Sequence, residues 1–193
     1  MGRENGIVIG IVDDLNDEEQ LGRVRVRYPH LDGEMSDWAR VATPMGGKDR
    51  GLFLRPERDD EVLVAFEHGD PRRPYIMGAL WSKVDPPPAD DGKRRENNWR
   101  FFRSRSGHLL KFDDTGGAER IEIVGMGGKH RVLIDVSGER IELSCSSGDI
   151  GISAPQGTLT LDAKAVAIKA STTLDLEAKG ACTIKGQTVS LNP

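Results

Sequence analysis

The sequence has few of the residues from which a monomeric protein builds a core. Hydrophobic residues make up only 37% of the 193 positions and aromatic residues 5%, whereas 23 positions are glycine. A chain of this length folds as one domain or as two small ones. So little apolar surface is thin for a chain that must bury a core by itself.

Long hydrophobic runs are missing as well. No window approaches the length of a transmembrane helix, and the N-terminal residues 1–4 carry no apolar signal core. We therefore expect the protein to be made in the cytoplasm without a signal peptide. The formal net charge of -4 argues against a general nucleic-acid binder, because such proteins carry an excess of positive charge.

Cysteine is scarce, and the two residues, Cys145 and Cys182, do not have the spacing of metal ligands. Both fall on the predicted inward faces of different strands, so buried reduced thiols are predicted in preference to a disulfide or a metal site.

Motifs that would indicate catalysis are also incomplete. The glycine-rich residues 46–49 lack the spacing of a phosphate-binding loop, and Ser106 and His108 lack a nucleophile elbow. The adjacent carboxylates Asp13/Asp14 and Asp113/Asp114 are predicted to lie in turns between strands, where neighbouring side chains point apart. We expect no enzymatic activity, no catalytic residue, no cofactor and no bound metal.

What the sequence does contain is a repeat in its last third, residues 139–193. Two apolar residues two positions apart recur every seven to nine residues, with polar or small residues between the pairs. This alternation predicts strands with one dry and one wet face, and its regular recurrence predicts a repeat architecture. The predicted core pairs are Ile141/Leu143, Ile150/Ile152, Leu159/Leu161, Val166/Ile168, Leu174/Leu176, Cys182/Ile184 and Val189/Leu191.

Each repeat is too thin to fill a solenoid made by one chain. A strand offers two substantial apolar side chains, and the third inward position is alanine in four repeats, at Ala154, Ala163, Ala170 and Ala178. If three chains wind about one axis, their stripes meet there and every strand edge is paired with a neighbouring chain. We favour this intertwined trimeric β-helix, a three-sided β-prism, while a single-chain solenoid stays the alternative on pattern alone.

The first 84 residues show short alternating strands and no helical periodicity. Strands are predicted over residues 6–12, 23–28, 38–42, 61–67 and 75–80, a count and length that fit an OB-type barrel. The second strand points Val24, Val26 and Tyr28 inward. Its outward residues Arg23, Arg25 and Arg27 are either a solvated face or a candidate docking surface for another protein or a neighbouring barrel.

The remaining stretch joins barrel and repeat. Residues 85–98 form a stiff, proline-rich polar linker, and residues 99–138 are predicted as transition strands that lead into the repeat. The domain prediction is therefore barrel 1–84, linker 85–98, transition strands 99–138 and β-helix 139–193.

Several of these stretches resemble one known family. Residues 66–74 (Phe-Glu-His-Gly-Asp-Pro-Arg-Arg-Pro) with residues 78–81 (Gly-Ala-Leu-Trp) resemble the end of the OB domain in VgrG proteins and phage baseplate assembly protein V. Residues 106–108 and 112–115 resemble the entry to the needle of those proteins, and the terminal pairs resemble their triple-stranded β-helix. The resemblance implies the central spike of a contractile injection machine in a phage tail, a type VI system or a tail-like particle, where it pierces the target envelope on contraction.

The resemblance also implies partners. The tail pattern and the resemblance together imply a homotrimer. Large VgrG proteins carry a tail-hub region before the OB domain, but only a few residues precede Ile7 here, so we expect the hub to be a separate protein. The linker is too short for an inserted lysozyme, and no histidine follows His130 to hold an iron at the tip. Because the apolar stripe runs to the last residues, we expect a PAAR-type tip protein on Leu191, Asn192 and Pro193. Contact with the target membrane would be transient.

Two other functions are kept open, a glycan-cleaving spike and an OB-type binding module, although the sequence lacks residues of the right kind for both. An OB-type barrel can bind single-stranded nucleic acid or oligosaccharide, but single-strand binding uses aromatic side chains beside positive charge, and the sequence places only Tyr28 near the three arginines. We therefore expect no nucleic-acid partner.

Overall fold

A computed structural model describes residues 6–90, 92–93 and 95–190. The chain divides into two units, Met1–Ser144 and Cys145–Pro193, and each is described by itself. The regular elements of the described residues are strands and three short 3-10 turns, Pro29–Leu31, Glu67–Gly69 and Met126–Gly128. The prediction of an all-β protein is confirmed.

The first part of the chain forms one six-stranded sheet and a small separate hairpin. The sheet has the order β3-β2-β1-β7-β8-β4, in which β4 runs parallel to β8 and the other pairs are antiparallel. The strands are β1 (Ile7–Asp14), β2 (Arg25–Tyr28), β3 (Glu34–Met35), β4 (Arg40–Val41), β5 (Gly46–Gly47), β6 (Arg50–Gly51), β7 (Glu61–Phe66) and β8 (Pro74–Ala79), and β5 and β6 form the hairpin.

This sheet closes on itself through one bridge. Val24, next to β2, and Ala39, next to β4, exchange two backbone hydrogen bonds of 3.0 and 2.8 Å. Because β4 otherwise pairs only with β8, the bridge joins the far edge of the sheet back to β2. The result is a small barrel of the kind that the strand count predicts.

The interior of the barrel is filled mainly by β-branched side chains. Val24, Val26 and Tyr28 are buried as predicted, and strict alternation on β2 places the arginines on the other face. At Gly10 the packing is too close for a side chain, because a Cβ atom there would lie 2.9 Å from Val26 Cγ2 and 3.1 Å from Val64 Cγ2. The core consists of Val12, Val24, Val26, Tyr28, Ala39, Val62, Val64 and Ile76.

Two predictions about this region are wrong. Asp13 and Asp14 do not lie in a turn but end β1, which is extended by the pairing of Asp14 with Arg25 across a bulge. The predicted strand over residues 38–42 shrinks to β4 and the bridge at Ala39. In both places the pairing partner, rather than local composition, sets the end of the strand.

A second sheet follows the linker in the same unit. Its order β13-β12-β11-β10-β9 is that of the chain, and β9 to β12 pair antiparallel in sequence. Asp113, predicted to lie in a turn, is instead the last residue of β10 and is buried. The strands are β9 (Trp99–Arg103), β10 (Leu109–Asp113), β11 (Arg120–Val124), β12 (His130–Asp135) and β13 (Arg140–Cys145).

Beyond β13 the described chain, residues 146–190, contains no strand and every residue is exposed. An isolated strand cannot satisfy its own N–H and C=O groups, and the sequence prediction assigns their partners to two other copies. The trimeric β-helix therefore stays a prediction. Cys182 is exposed and Cys145 half-buried in the single chain, so burial of the two thiols stays a prediction for the trimer.

None of the described members of the predicted tail pairs is buried in the single chain, whereas the prediction concerns their burial in a trimer. The physical reason is that each pair supplies one thin apolar stripe, and no other part of the described chain packs against it. Burial of these residues thus stays a prediction for the trimer alone. The exposed members are Ile141, Leu143, Ile150, Ile152, Leu159, Leu161, Val166, Ile168, Leu174, Leu176, Cys182, Ile184 and Val189.

Candidate assembly surfaces

The side chains of the tail pairs are in contact with water over most of their surface. The exposed fractions of their Ile, Leu and Val members run from 51% at Ile150 to 77% at Ile141. Leu191 lies outside the described residues, as do Asn192 and Pro193, the other predicted docking residues for a tip protein. The single chain thus brings none of the described pairs into a core of its own.

The predicted alternation places the second member of each tail pair on the same inner stripe as the first. No neighbouring side chain covers this second member either. Ile152, Leu161, Ile168 and Ile184 are between 61% and 69% exposed. Side chains of this size are normally shielded from water when they recur in a regular row. Within the described residues of the single chain, nothing shields this row from water.

The second sheet has an exposed apolar face, called here the apolar sheet face. Residues directly opposite each other in an antiparallel sheet share a face, and Phe102, Leu110, Ile123 and Val132 stand opposite one another along the sheet. All members are half-buried or exposed, with Ile123 at 53% and Phe102 at 51%. The face consists of Phe102, Leu110, Phe112, Ile121, Ile123, Val132 and Ile134.

The sequence contains a signal for this face that the prediction missed. Leu110/Phe112, Ile121/Ile123 and Val132/Ile134 have the same two-residue spacing as the tail pairs and precede Ile141/Leu143. Their steps are longer than those of the tail, because complete hairpin turns separate the strands. The repeat of apolar pairs thus begins at Leu110, well before residue 139.

The opposite face of the same sheet carries shielded charges, called here the charge cluster. Lys111 Nζ lies 2.7 Å from Glu122 Oε2 and 3.6 Å from Asp113 Oδ2, and all three side chains are at most 10% exposed. Arg120 and Arg131 bind the same carboxylates from the rim. The ring of Trp99 lies 4.1 Å from Lys111 Nζ and covers it.

The charge cluster keeps both carboxylates ionised. Burial opposes the charge on Asp113 and Glu122, but hydrogen bonds from Thr115 to Asp113 and from Lys111 and Arg131 to Glu122 outweigh it, so the pKa of each carboxyl lies below its ordinary value. The sheet therefore shields its charged face and exposes its apolar face. That arrangement is the reverse of what a monomer in water favours.

The three arginines predicted to point outward on the barrel do so, but they are largely paired. Arg23 binds Asp17 at 2.6 Å and Glu19 at 3.2 Å, and Arg27 approaches Asp59 at 3.7 Å. Arg25 donates from Nε to the Ser36 carbonyl.

An aromatic residue also lies on this arginine face, and the sequence prediction missed it. Trp38 lies between Arg23 and Arg25, with the guanidinium carbons 5.8 and 5.5 Å from its ring centre. Tyr28 is therefore not the sole aromatic near these charges. Its own ring is turned into the barrel core.

Comparison with known proteins agrees with this architecture. Residues 8–81 match the family described as the type VI secretion system/phage-baseplate injector OB domain, and these residues form the closed barrel. The spike protein VgrG1a of Pseudomonas aeruginosa is 28% identical over 133 residues, which cover 63% of this chain. VgrG5 of the same species is 29% identical over 130 residues, and VgrG3 of Vibrio cholerae is 29% identical over 111 residues, covering 63% and 53% of this chain.

The chain therefore carries an OB domain of the type VI secretion and phage-baseplate injector family, and it is similar to VgrG spike proteins over 63% of its length. It spans only a small share of these VgrG relatives, 21% of VgrG1a, 16% of VgrG5 and 11% of VgrG3. The resemblance found in residues 66–81 is confirmed, because they form the end of the matched OB domain.

Two features are absent from the described residues of this chain. They contain no group of three or more His, Cys, Asp or Glu side chains that could hold a metal ion. Among the same residues, no helix has the length and apolar character needed to cross a membrane.

Proposed function

We propose that this chain is a structural spike component of a contractile injection machine and works as a homotrimer with an intertwined β-helical needle. The observation that carries the proposal is the unshielded row of apolar pairs. It begins on the apolar sheet face at Leu110 and continues through Ile141 to Val189, and no other part of the chain covers it in the described residues. Three copies around one axis would bury all of these pairs together.

The function follows from mechanics and involves no reacting group. A spike transmits axial load from a contracting sheath, so it must not unfold on impact. In an intertwined needle no strand can separate without breaking hydrogen bonds to both partner chains, which makes unfolding slow. Seven pairs that each rise by one strand spacing of ~4.8 Å give a regular needle of ~34 Å, continued at its base by the second sheet.

The proposal includes three partners of the trimer. A hub protein would meet the barrel, with Arg23, Arg25 and Arg27 as the candidate contact, and a PAAR-type tip protein would cover Leu191, Asn192 and Pro193. The needle would contact the target membrane only during firing, after assembly from protein made in the cytoplasm. The names of the VgrG relatives, which are type VI secretion spike proteins, support the exported role.

The alternative, a barrel that binds single-stranded nucleic acid or oligosaccharide, is less well supported. Trp38 offers an aromatic ring beside two arginines, which is the chemistry that single strands use. However, both arginines lie over that ring, and Arg23 is neutralised by Asp17 and Glu19. A base would have to displace these contacts before it could stack.

The test of the proposed function is the mass of the purified full chain in solution. Three copies of 21.2 kDa give a trimer of about 64 kDa, which we expect light scattering to detect and cold SDS to leave intact. A monomer that melts readily would contradict the proposal. Salt-sensitive binding of single-stranded DNA by that monomer would favour the alternative.

A further inference from the structure

An apolar groove of about 1140 Å³ is lined by residues of the first unit. Its walls are the residues after the β5–β6 hairpin, the end of β8 and the end of β9. Six large side chains line it and are exposed: Leu52, Phe53, Leu54, Met77, Trp81 and Phe102. Phe53 is 78% and Trp81 72% exposed, which is extreme for side chains of this size.

The groove is continuous with the apolar sheet face. Phe102 lines the groove and is also a member of that face, where it stands opposite Leu110, which in turn stands opposite Ile123. One uninterrupted apolar surface therefore runs from the barrel at Phe53 across the second sheet. It continues onto β13, which borders β12. The Arg140 side chain binds Asp135 at 3.1 Å on the charged face, so alternation along β13 places Ile141 and Leu143, the first pair of the predicted trimer core, on the apolar face.

The groove does not have the properties of a small-molecule site. Such sites place a few unpaired polar groups where they converge on the ligand. Here the polar side chains of Arg105 and Glu57, which line the groove, bind each other at 2.6 Å. Two further polar side chains of the lining also have partners, because Thr43 donates to the Leu52 carbonyl and Asp60 accepts from the Glu57 amide. The large exposed side chains of the groove are apolar, and a surface of that kind fits another protein surface.

We infer that a second copy of this chain covers the groove, so that the trimer interface begins on the barrel at residues 52–54 and not at the needle. The inference rests on the proposed trimer: a copy that buries Ile141 and Leu143 lies along the same surface that contains the groove. Residues 52–54 are then a structural contact between subunits that fixes each barrel to the base of the needle. The groove is incomplete in one chain and becomes closed when the neighbouring subunit packs on it.

The test is hydroxyl-radical footprinting of the full-length protein, with its mass measured on the same sample. Met77 lines the groove and Met126 does not, and the two are equally suited to oxidation in a single chain, where they are 54% and 61% exposed. Because methionine oxidation follows exposure, we expect Met77 to react at least about fivefold more slowly than Met126 in the trimer. Phe53 and Trp81 should be protected together with Met77.

A variant separates this contact from the needle. Phe53→Asp places a charge in the proposed contact, so we expect Met77 to react as fast as Met126 while the mass remains that of a trimer. The matched control is Leu31→Asp, an exposed barrel leucine outside the groove, which should leave Met77 protected. A wild-type trimer in which Met77 and Met126 react equally overturns the inference and leaves the proposed function standing. A wild-type monomer overturns both.

Discussion

At the scale of single residues, the barrel is most tightly constrained at Gly10. Val26 and Val64 fill the space where a side chain would be, with Val26 Cγ2 only 2.9 Å from the position of a Cβ atom. We expect Gly10→Ala to destabilise the barrel by about 1–3 kcal/mol, the usual cost of overpacking. Hydrogen–deuterium exchange of the β1 and β7 amides measures the loss.

The matched control for Gly10 is Gly78 on β8. A Cβ atom added there meets no heavy atom within 4 Å, so Gly78→Ala should leave exchange in the barrel unchanged. Equal effects of the two substitutions would show that backbone flexibility, and not packing, explains the glycine at position 10.

Asp17 gives the barrel a dependence on pH. Its carboxylate accepts bonds from the Arg23 side chain and from the backbone amides of Leu21 and Arg23, and these bonds, the side-chain bond above all, lower its pKa from 3.8 to about 2 against the effect of burial. A pKa lowered by folding means that the folded state resists protonation. The stability that the ionised Asp17 carboxylate contributes is therefore complete above about pH 4 and is lost as the pH falls towards 2.

The corresponding prediction concerns Asp17→Asn. We expect the variant to melt at a lower temperature than the wild type at pH 7. The difference between the two melting temperatures should become smaller between pH 4 and pH 2, because the wild-type carboxylate becomes protonated there. Thermal melts across this range measure it, with Asp32→Asn in an exposed turn as the control. Melting curves that stay parallel down to pH 2 would contradict the assignment.

At the scale of elements, the second sheet depends on its charge cluster. Lys111 neutralises Glu122 and Asp113 at a site that water barely reaches. We expect Lys111→Met to destabilise the sheet by about 3–5 kcal/mol, because it leaves shielded carboxylates with less compensating charge. Exchange of the β10 and β11 amides measures the effect, and Lys83→Met, at an exposed position, is the control.

A paired substitution tests whether the cost arises from unpaired charge. Adding Glu122→Gln to Lys111→Met removes one of the two carboxylates, so the double variant should recover much of the lost stability. If the double variant instead loses the sum of the stabilities that the two single variants lose, Lys111 acts mainly by packing against Trp99 and not through its charge.

At the scale of the whole molecule, the proposed trimer gives the tail residues a role that a single chain cannot. Leu176 is 69% exposed in one chain, so a monomer should tolerate Leu176→Asp with a change within about 0.5 kcal/mol. In the intertwined needle the same change brings three carboxylates to the axis. We therefore expect loss of the 64 kDa species, about three times the 21.2 kDa chain, when the mass is measured by light scattering.

The neighbouring residue supplies the control for this experiment. Asp175 has the opposite parity along the predicted strand and points outward, so Asp175→Asn should leave the trimer intact. A trimer that persists in the Leu176→Asp variant would mean that the tail does not form the interface.

The sequence alone determined which residues share a face of a strand, because side-chain direction alternates with a period of two. That rule identified Val24, Val26 and Tyr28 as barrel core and found the apolar pairs of the tail. It also predicted the all-β fold and the resemblance to VgrG, since both depend on local order along the chain.

Only the tertiary structure decided which face is shielded and where strands end, because those depend on partners distant in sequence. The bridge between Val24 and Ala39 closes the barrel, and strand pairing draws Asp14 and Asp113 out of their predicted turns. On the second sheet, neighbouring strands assemble the charge cluster on one face and leave Phe102 and Ile123 exposed on the other. Alternation defines two faces, but burial is settled by what packs on each of them.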